Sequence, residues 1–85
     1  MKVKVLYFAS LREQLGCGAE EIELPAGVDT LGALQAHLVA RGGVWQDALG
    51  GGKLVRMAVN QEIKPAASAV RGGDEVAFFP PVTGG

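Results

Sequence analysis

The sequence predicts an α+β domain, a mixed sheet with one main helix packed across a face. Three observations predict it. Apolar and polar residues alternate through Lys2 to Ala9 near one end of the chain and through Glu75 to Phe79 near the other, the period of a strand with one buried face. Between them, Leu31, Leu34, Leu38 and Val39 recur at helical spacing. Further short strand-like runs lie on both sides of that helix, and the order strand, strand, helix, strand, strand within 85 residues suits a two-layer fold.

The first strand places Val3, Val5 and Tyr7 on one side and Lys2, Lys4, Leu6 and Phe8 on the other. Ser10 is the expected cap of a short helix, Leu11 to Leu15, which Gly16 ends. Glu20 to Leu24 alternates again, with Ile22 and Leu24 inward, and its glutamates suit an edge strand because their charge discourages pairing with other chains. Pro25-Ala26-Gly27 turns the chain, and Asp29 or Thr30 caps the main helix, closed by Arg41 and Gly42. Val44 to Leu49 reads as a short helical turn and Gly50-Gly51-Gly52 as a loop. Leu54 to Val59 is the third strand, and Asn60-Gln61 turns into a short return strand around Glu62 to Lys64. Ala66 to Val70 is expected to form a turn of helix, Arg71-Gly72-Gly73-Asp74 a tight connection, and Glu75 to Phe79 the last strand.

Composition narrows the function classes. Eight basic and nine acidic side chains give a net charge of −1, without a Lys/Arg cluster to drive nucleic-acid or anionic-membrane binding. The amino-terminal run is too short and too polar for a signal peptide or a membrane span, so a cytoplasmic location is expected. The single cysteine, Cys17, has no disulfide partner in the chain and fits a reducing compartment. So small a domain encloses no deep cleft of its own and is not expected to be an enzyme alone.

The usual chemical motifs are weak. Gly52-Lys53 resembles a phosphate-binding loop only superficially, since that motif needs Gly where Asp47 stands and Ser or Thr where Leu54 stands. His37 has no second ligand at metal spacing, and Cys17 has no His or Asp near it in sequence; neither is assigned a metal or catalytic role. Two features carry more. Strand parity puts Val76 and Phe78 in the core and Phe79 on the outer face with Leu6 and Phe8, an apolar patch that suits a protein interface. Beyond it, Pro80 and Pro81 lack amide hydrogens and lead the chain out of the sheet as an extended tether. Pro80 to Gly85 can span about 20 Å, and Gly84-Gly85 offers a terminal carbonyl with little steric cover.

Taken whole, the run Asp74-Glu75-Val76-Ala77-Phe78-Phe79-Pro80-Pro81-Val82-Thr83-Gly84-Gly85 resembles the small subunit of molybdopterin synthase, the MoaD family of ubiquitin-like sulfur carriers. Val3 to Ala9, Leu11-Arg12-Glu13 and Ala58-Val59-Asn60-Gln61 extend the resemblance over the full length. It implies a β-grasp domain over residues 1–79 and a flexible tail over 80–85. It further implies that a partner ATP-dependent adenylating enzyme activates Gly85, that a sulfur donor converts it to a thiocarboxylate, and that the tail enters the synthase large subunit. There the sulfur would pass to a cyclic pyranopterin monophosphate to build the molybdopterin dithiolene. Gly84 would keep the approach narrow, Pro80, Pro81, Val82 and Thr83 would line the tether, and Phe8, Arg12, Ile63 and Phe79 would contact the large subunit. ATP would be used by the activating enzyme, and no cofactor or metal is expected on this chain. Three alternatives stay open: a sulfur carrier of another pathway such as thiamine thiazole formation, a ubiquitin-like modifier conjugated to lysines, and an interaction module with an incidental tail. The Phe79-Pro80-Pro81-Val82-Thr83 run favours the synthase subunit over the first.

Overall fold

The computed structural model describes residues 1–52 and 54–81. These residues form strands β1 (Lys2–Tyr7), β2 (Ala19–Glu23), β3 (Arg56–Val59), β4 (Glu62–Ile63) and β5 (Glu75–Phe79), with helices α1 (Ala9–Leu15), α2 (Leu31–Val39) and α3 (Val44–Leu49). The five strands make one sheet in the order β2-β1-β5-β3-β4. β1 and β5, the two ends of the chain, pair in parallel at its centre, whereas β1 with β2, β5 with β3, and β3 with β4 are antiparallel. The expected mixed sheet is therefore present, with the Glu-rich β2 at one edge.

Period-two alternation sends Val3, Val5, Tyr7, Ile22, Met57, Val76 and Phe78 to the inner face of the sheet. Against them α2 lays Leu31, Leu34 and Leu38, all fully buried, each contributing roughly 2 kcal/mol of burial. Leu11 of α1 and Ala48 and Leu49 of α3 close the ends of this core. Thr30 caps α2 through its side-chain oxygen, which accepts from the Ala33 amide at 3.1 Å. Gly16 ends α1 in the left-handed region, as the sequence predicts.

Two local expectations are corrected. Ser10 caps nothing: α1 starts at Ala9, whose φ of +53° turns the chain sharply out of β1, and Phe8 occupies the cap position without a side-chain bond. The Phe8 carbonyl instead accepts from the Leu11 and Arg12 amides, so Ser10 already lies inside the first turn. Ala66 to Val70 is a turn and not a helical one. Its carbonyls at Ala66 and Ser68 are taken by the Gly32 and Leu31 amides at the start of α2, and Ala69 bridges Thr30. That segment serves as acceptor for the orphan donors of the main helix, and the Val70 amide, which a helical turn would send to Ala66, donates instead to the Asp29 carbonyl at 2.8 Å.

At the β2 edge the inner layer is fastened by a polar group that no sequence pattern announces. The Tyr7 hydroxyl donates to Glu20 Oε2 at 2.9 Å, and Arg41, just beyond α2, grips both Glu20 oxygens at 3.0 Å. The same guanidinium stacks over Trp45 at 4.5 Å, and Trp45 meets the Tyr7 ring edge-on. Burial first, then the bond to Glu20, pushes the Tyr7 hydroxyl far up, so it is a neutral donor at physiological pH. Arg41 chiefly holds Glu20 below its ordinary value of 4.5, against the opposing effect of burial. A carboxylate with a depressed folded-state pKa stabilises fully above its unfolded value and loses that contribution as pH falls through the folded value. Glu20→Gln is thus expected to lower Tm by roughly 5 °C at neutral pH, about 1 kcal/mol for a bidentate pair at the surface, and by less at acidic pH as Glu20 becomes protonated. Thermal melts of the two proteins across pH check this; a deficit independent of pH would remove the charge from the explanation.

Candidate functional site

The outer face of the sheet carries a groove at its centre. Ala58 and Ala77, register partners on β3 and β5, form its floor, because methyl side chains at the middle of the sheet leave a depression between larger neighbours. Leu6 and Phe8 flank it from β1 and its end, Ile63 flanks it from β4, and Phe79 closes it at the end of β5. Its volume is about 300 Å³. Phe8 is 46% exposed and Ile63 64%, large apolar surfaces that in a stable domain need a reason to face water.

The placement of each wall follows from local rules. β1 and β5 are in register as Leu6 with Ala77 and Tyr7 with Phe78, so Leu6, Ala77 and Phe79 share the face opposite the core. The Phe8 amide donates to the Phe78 carbonyl at 3.1 Å, which extends the β1–β5 pairing by one residue and holds Phe8 beside that face. Ile63 arrives through the tight turn Asn60-Gln61, both residues in the left-handed region. Asn60 fixes the turn against β5: its Nδ2 donates to Asp74 Oδ1 and its Oδ1 accepts from the Glu75 amide, both at 3.1 Å.

The structure thus brings Phe8, Ile63 and Phe79 of the sequence-predicted contact residues around one groove. Arg12 is not among them. It lies on α1, with its guanidinium lying over Gly18, in a separate hollow of about 590 Å³ that it shares with Ala9, Glu13 and Cys17. Cys17 itself is half-buried and donates weakly to the Ala19 carbonyl. Pro80 and Pro81 follow β5 directly, outside the strand, so the chain leaves the sheet from the groove's own wall. Val82, Thr83, Gly84 and Gly85 lie outside the described residues.

Sequence reasoning missed the floor and the polar end of the groove. Ala58 and Ala77 had the right parity but are too small to attract notice, although small residues amid large ones on one face are the signal for a depression. Gln61 and Glu75, which also line it, read as turn and strand-edge residues. Among the described residues, no three His, Cys, Asp or Glu side chains gather as a metal site, and no helix is long and apolar enough to cross a membrane.

Comparison with known proteins places this geometry. The profile of the ThiS family matches residues 5–85. The molybdopterin synthase sulfur carrier subunit of Haemophilus influenzae is 48% identical over 98% of this chain and 99% of its own length, and that of Escherichia coli 47% identical over the same shares. Among solved structures, SAMP1 of Haloferax volcanii superposes with a TM-score of 0.76 at 26% identity, covering 100% of both chains. Its fold is the ubiquitin-like β-grasp, the architecture described above. With a family profile spanning nearly all of its length and relatives close to half identical from end to end, the chain belongs to the ThiS family, alongside the molybdopterin synthase sulfur carrier subunits.

Proposed function

We propose that this chain is the sulfur carrier subunit of a molybdopterin synthase, in which residues 1–79 form the docking domain and residues 80–85 the tether that carries the reacting atom. The observation that carries the reading is that one strand serves both ends: β5 supplies Ala77 and Phe79 to the exposed groove and runs straight into Pro80-Pro81. A partner seated on the groove through Phe8, Ile63 and Phe79 necessarily has the root of the tail at its surface. Val82, Thr83, Gly84 and Gly85 then reach on into that partner, the synthase large subunit, which supplies the pocket and the acid-base groups. This division fits a domain whose described surface offers a groove for a neighbour. Arg12 on α1 adds a contact at the flank of the same partner.

The chemistry starts from the Gly85 carboxylate, an anion at neutral pH and a poor electrophile. An ATP-dependent adenylating enzyme binds the ATP; the carboxylate displaces pyrophosphate to give an acyl-adenylate, and sulfide-level sulfur from a donor then attacks the acyl carbon and displaces AMP. The resulting thiocarboxylate sulfur is the nucleophile that bonds to a cyclic pyranopterin monophosphate; water then cleaves the acyl–sulfur bond, leaving the sulfur on the pterin and returning the Gly85 carboxylate, so the dithiolene takes two deliveries. Gly84 and Gly85 suit this because a tail without side chains can lie in a narrow channel and expose its terminal carbonyl. A cytoplasmic site of action suits the reducing chemistry and the unpaired thiol of Cys17.

The likeness to the Haloferax volcanii protein, described elsewhere as a small archaeal modifier protein, supports a second reading, attachment of the same tail to lysines. Intact mass of the native protein separates the two. A gain of about 16 Da on Gly85, sulfur in place of oxygen, is the expected result. A mass unchanged after incubation with ATP, the adenylating enzyme and a sulfur donor, or tail peptides found joined to lysines alone, would overturn the carrier reading.

A further inference from the structure

We propose that the polar end of the groove, formed by Gln61 and Glu75, is a specificity site that receives a cationic side chain, Lys or Arg, from the subunit that takes the tail; this rests on the docking role of the groove given above. Glu75 has the parity of Ala77 and Phe79, and its half-buried side chain lines the groove beside their apolar surface. Among the described residues no cation stands within 4 Å of its carboxylate, and its cross-strand neighbour Lys4 is not paired with it. In water this costs nothing. Lys4, its register partner on the same face, is exposed and does not line the groove, so once a partner covers the groove a cation from that partner offsets the cost of taking the carboxylate out of water.

Gln61 makes the same point from the backbone. Its φ is +72°, in the region where glycine is the residue of least cost, and it follows Asn60 in a turn whose favoured sequence is Asn-Gly. Asn60 is explained by its own bonds to Asp74 and Glu75. Gln61 has no side-chain hydrogen bond among the described residues, yet its side chain lines the groove. Strain kept without a structural return points to a role in binding. Its carboxamide oxygen can share with Glu75 the donors of one ammonium or guanidinium head, while the alanine floor accepts the aliphatic stem of the same side chain. An anionic or wholly apolar contact surface would leave Glu75 opposed or unpaired.

The test is binding of the full-length carrier to its large subunit, measured from about 0.05 to 0.5 M salt. Glu75→Gln, which keeps shape and removes charge, is expected to raise Kd about tenfold and to flatten its salt dependence. Gln61→Gly is expected to raise Kd several-fold while raising Tm by roughly 3 °C, since glycine relieves the turn. Phe79→Ala is the control for the groove, with weaker binding and an unchanged salt slope. Unaltered affinity and slope in Glu75→Gln, with Phe79→Ala still weakened, would overturn the cation site and leave the docking role standing. Unaltered affinity in both variants would remove the groove as the docking face, and the cation site with it. A fall in Tm for Gln61→Gly would overturn the strain argument.

Discussion

Deleting Gly85 is expected to reduce sulfur transfer to background while the domain melts as the full-length chain does and still binds the large subunit. The truncated chain keeps a terminal carboxylate, now on Gly84, with the same chemistry and the same lack of a side chain. What changes is reach: the reacting atom is drawn back by about 3.5 Å, one residue of extended chain. Effective-concentration arguments make a displacement of even 1 Å worth about 10²-fold in rate, so a whole residue puts the carboxyl out of range of both the adenylating site and the pterin site. Binding is spared because the groove lies on the folded domain, upstream of the tail. Single-turnover product formation with the large subunit, next to a melting curve and a Kd, reads all three. Product formed at the full-length rate would sink the carrier assignment, since it would place the sulfur elsewhere than on the last residue. Gly85→Ala, which keeps length, is expected to act at an intermediate rate, because its methyl narrows the channel's tolerance without moving the reacting atom.

The features legible in the sequence were those that repeat locally. β1, β5 and α2 each carry several apolar residues at the period of their own backbone, so strand parity alone put Phe78 inside and Phe79 outside, and with them two of the groove's walls. Edge position for β2 followed from its glutamates in the same way. What stayed hidden depends on contacts between distant residues. The Tyr7–Glu20–Arg41–Trp45 group joins the first strand, an edge strand, the end of α2 and α3, and no spacing rule connects them. The segment from Ala66 to Val70 has the composition of a helical turn, but its carbonyls are claimed by α2, a tertiary demand that overrides propensity. Ser10 lost its capping role to the left-handed turn at Ala9, a conformation no alanine advertises. Arg12, Phe8, Ile63 and Phe79 formed one set by resemblance; the fold gives the apolar three a common groove and puts Arg12 on the adjoining helix.

Replacing Phe78 and Phe79 by alanine, one at a time, is expected to give opposite outcomes from neighbouring residues of identical chemistry. Phe78 is fully buried, stacked on Tyr7 with ring centroids 6.2 Å apart and paired across the ladder with Met57. Its truncation removes the largest apolar side chain of the sheet's inner face and leaves a cavity that the packed α2 leucines cannot fill, a loss of about 3–5 kcal/mol. A domain of this size has a total stability on the order of 5–10 kcal/mol, so Phe78→Ala should lose about 20 °C in Tm, with any loss of binding following the unfolded fraction. Phe79 is one residue further along the same strand, half-buried on the groove wall, and among the described residues it is not one of the side chains packed against the core. Its truncation should cost less than about 1 kcal/mol of stability and yet raise the Kd for the large subunit by about 10- to 100-fold, the range of an aromatic anchor at an interface. Melting curves and binding isotherms on the two variants separate these effects, because folding and docking are read independently. Comparable loss of Tm in both would mean that the outer face is part of the core energetics, and an unchanged Kd for well-folded Phe79→Ala would mean that the tail finds its partner without this wall.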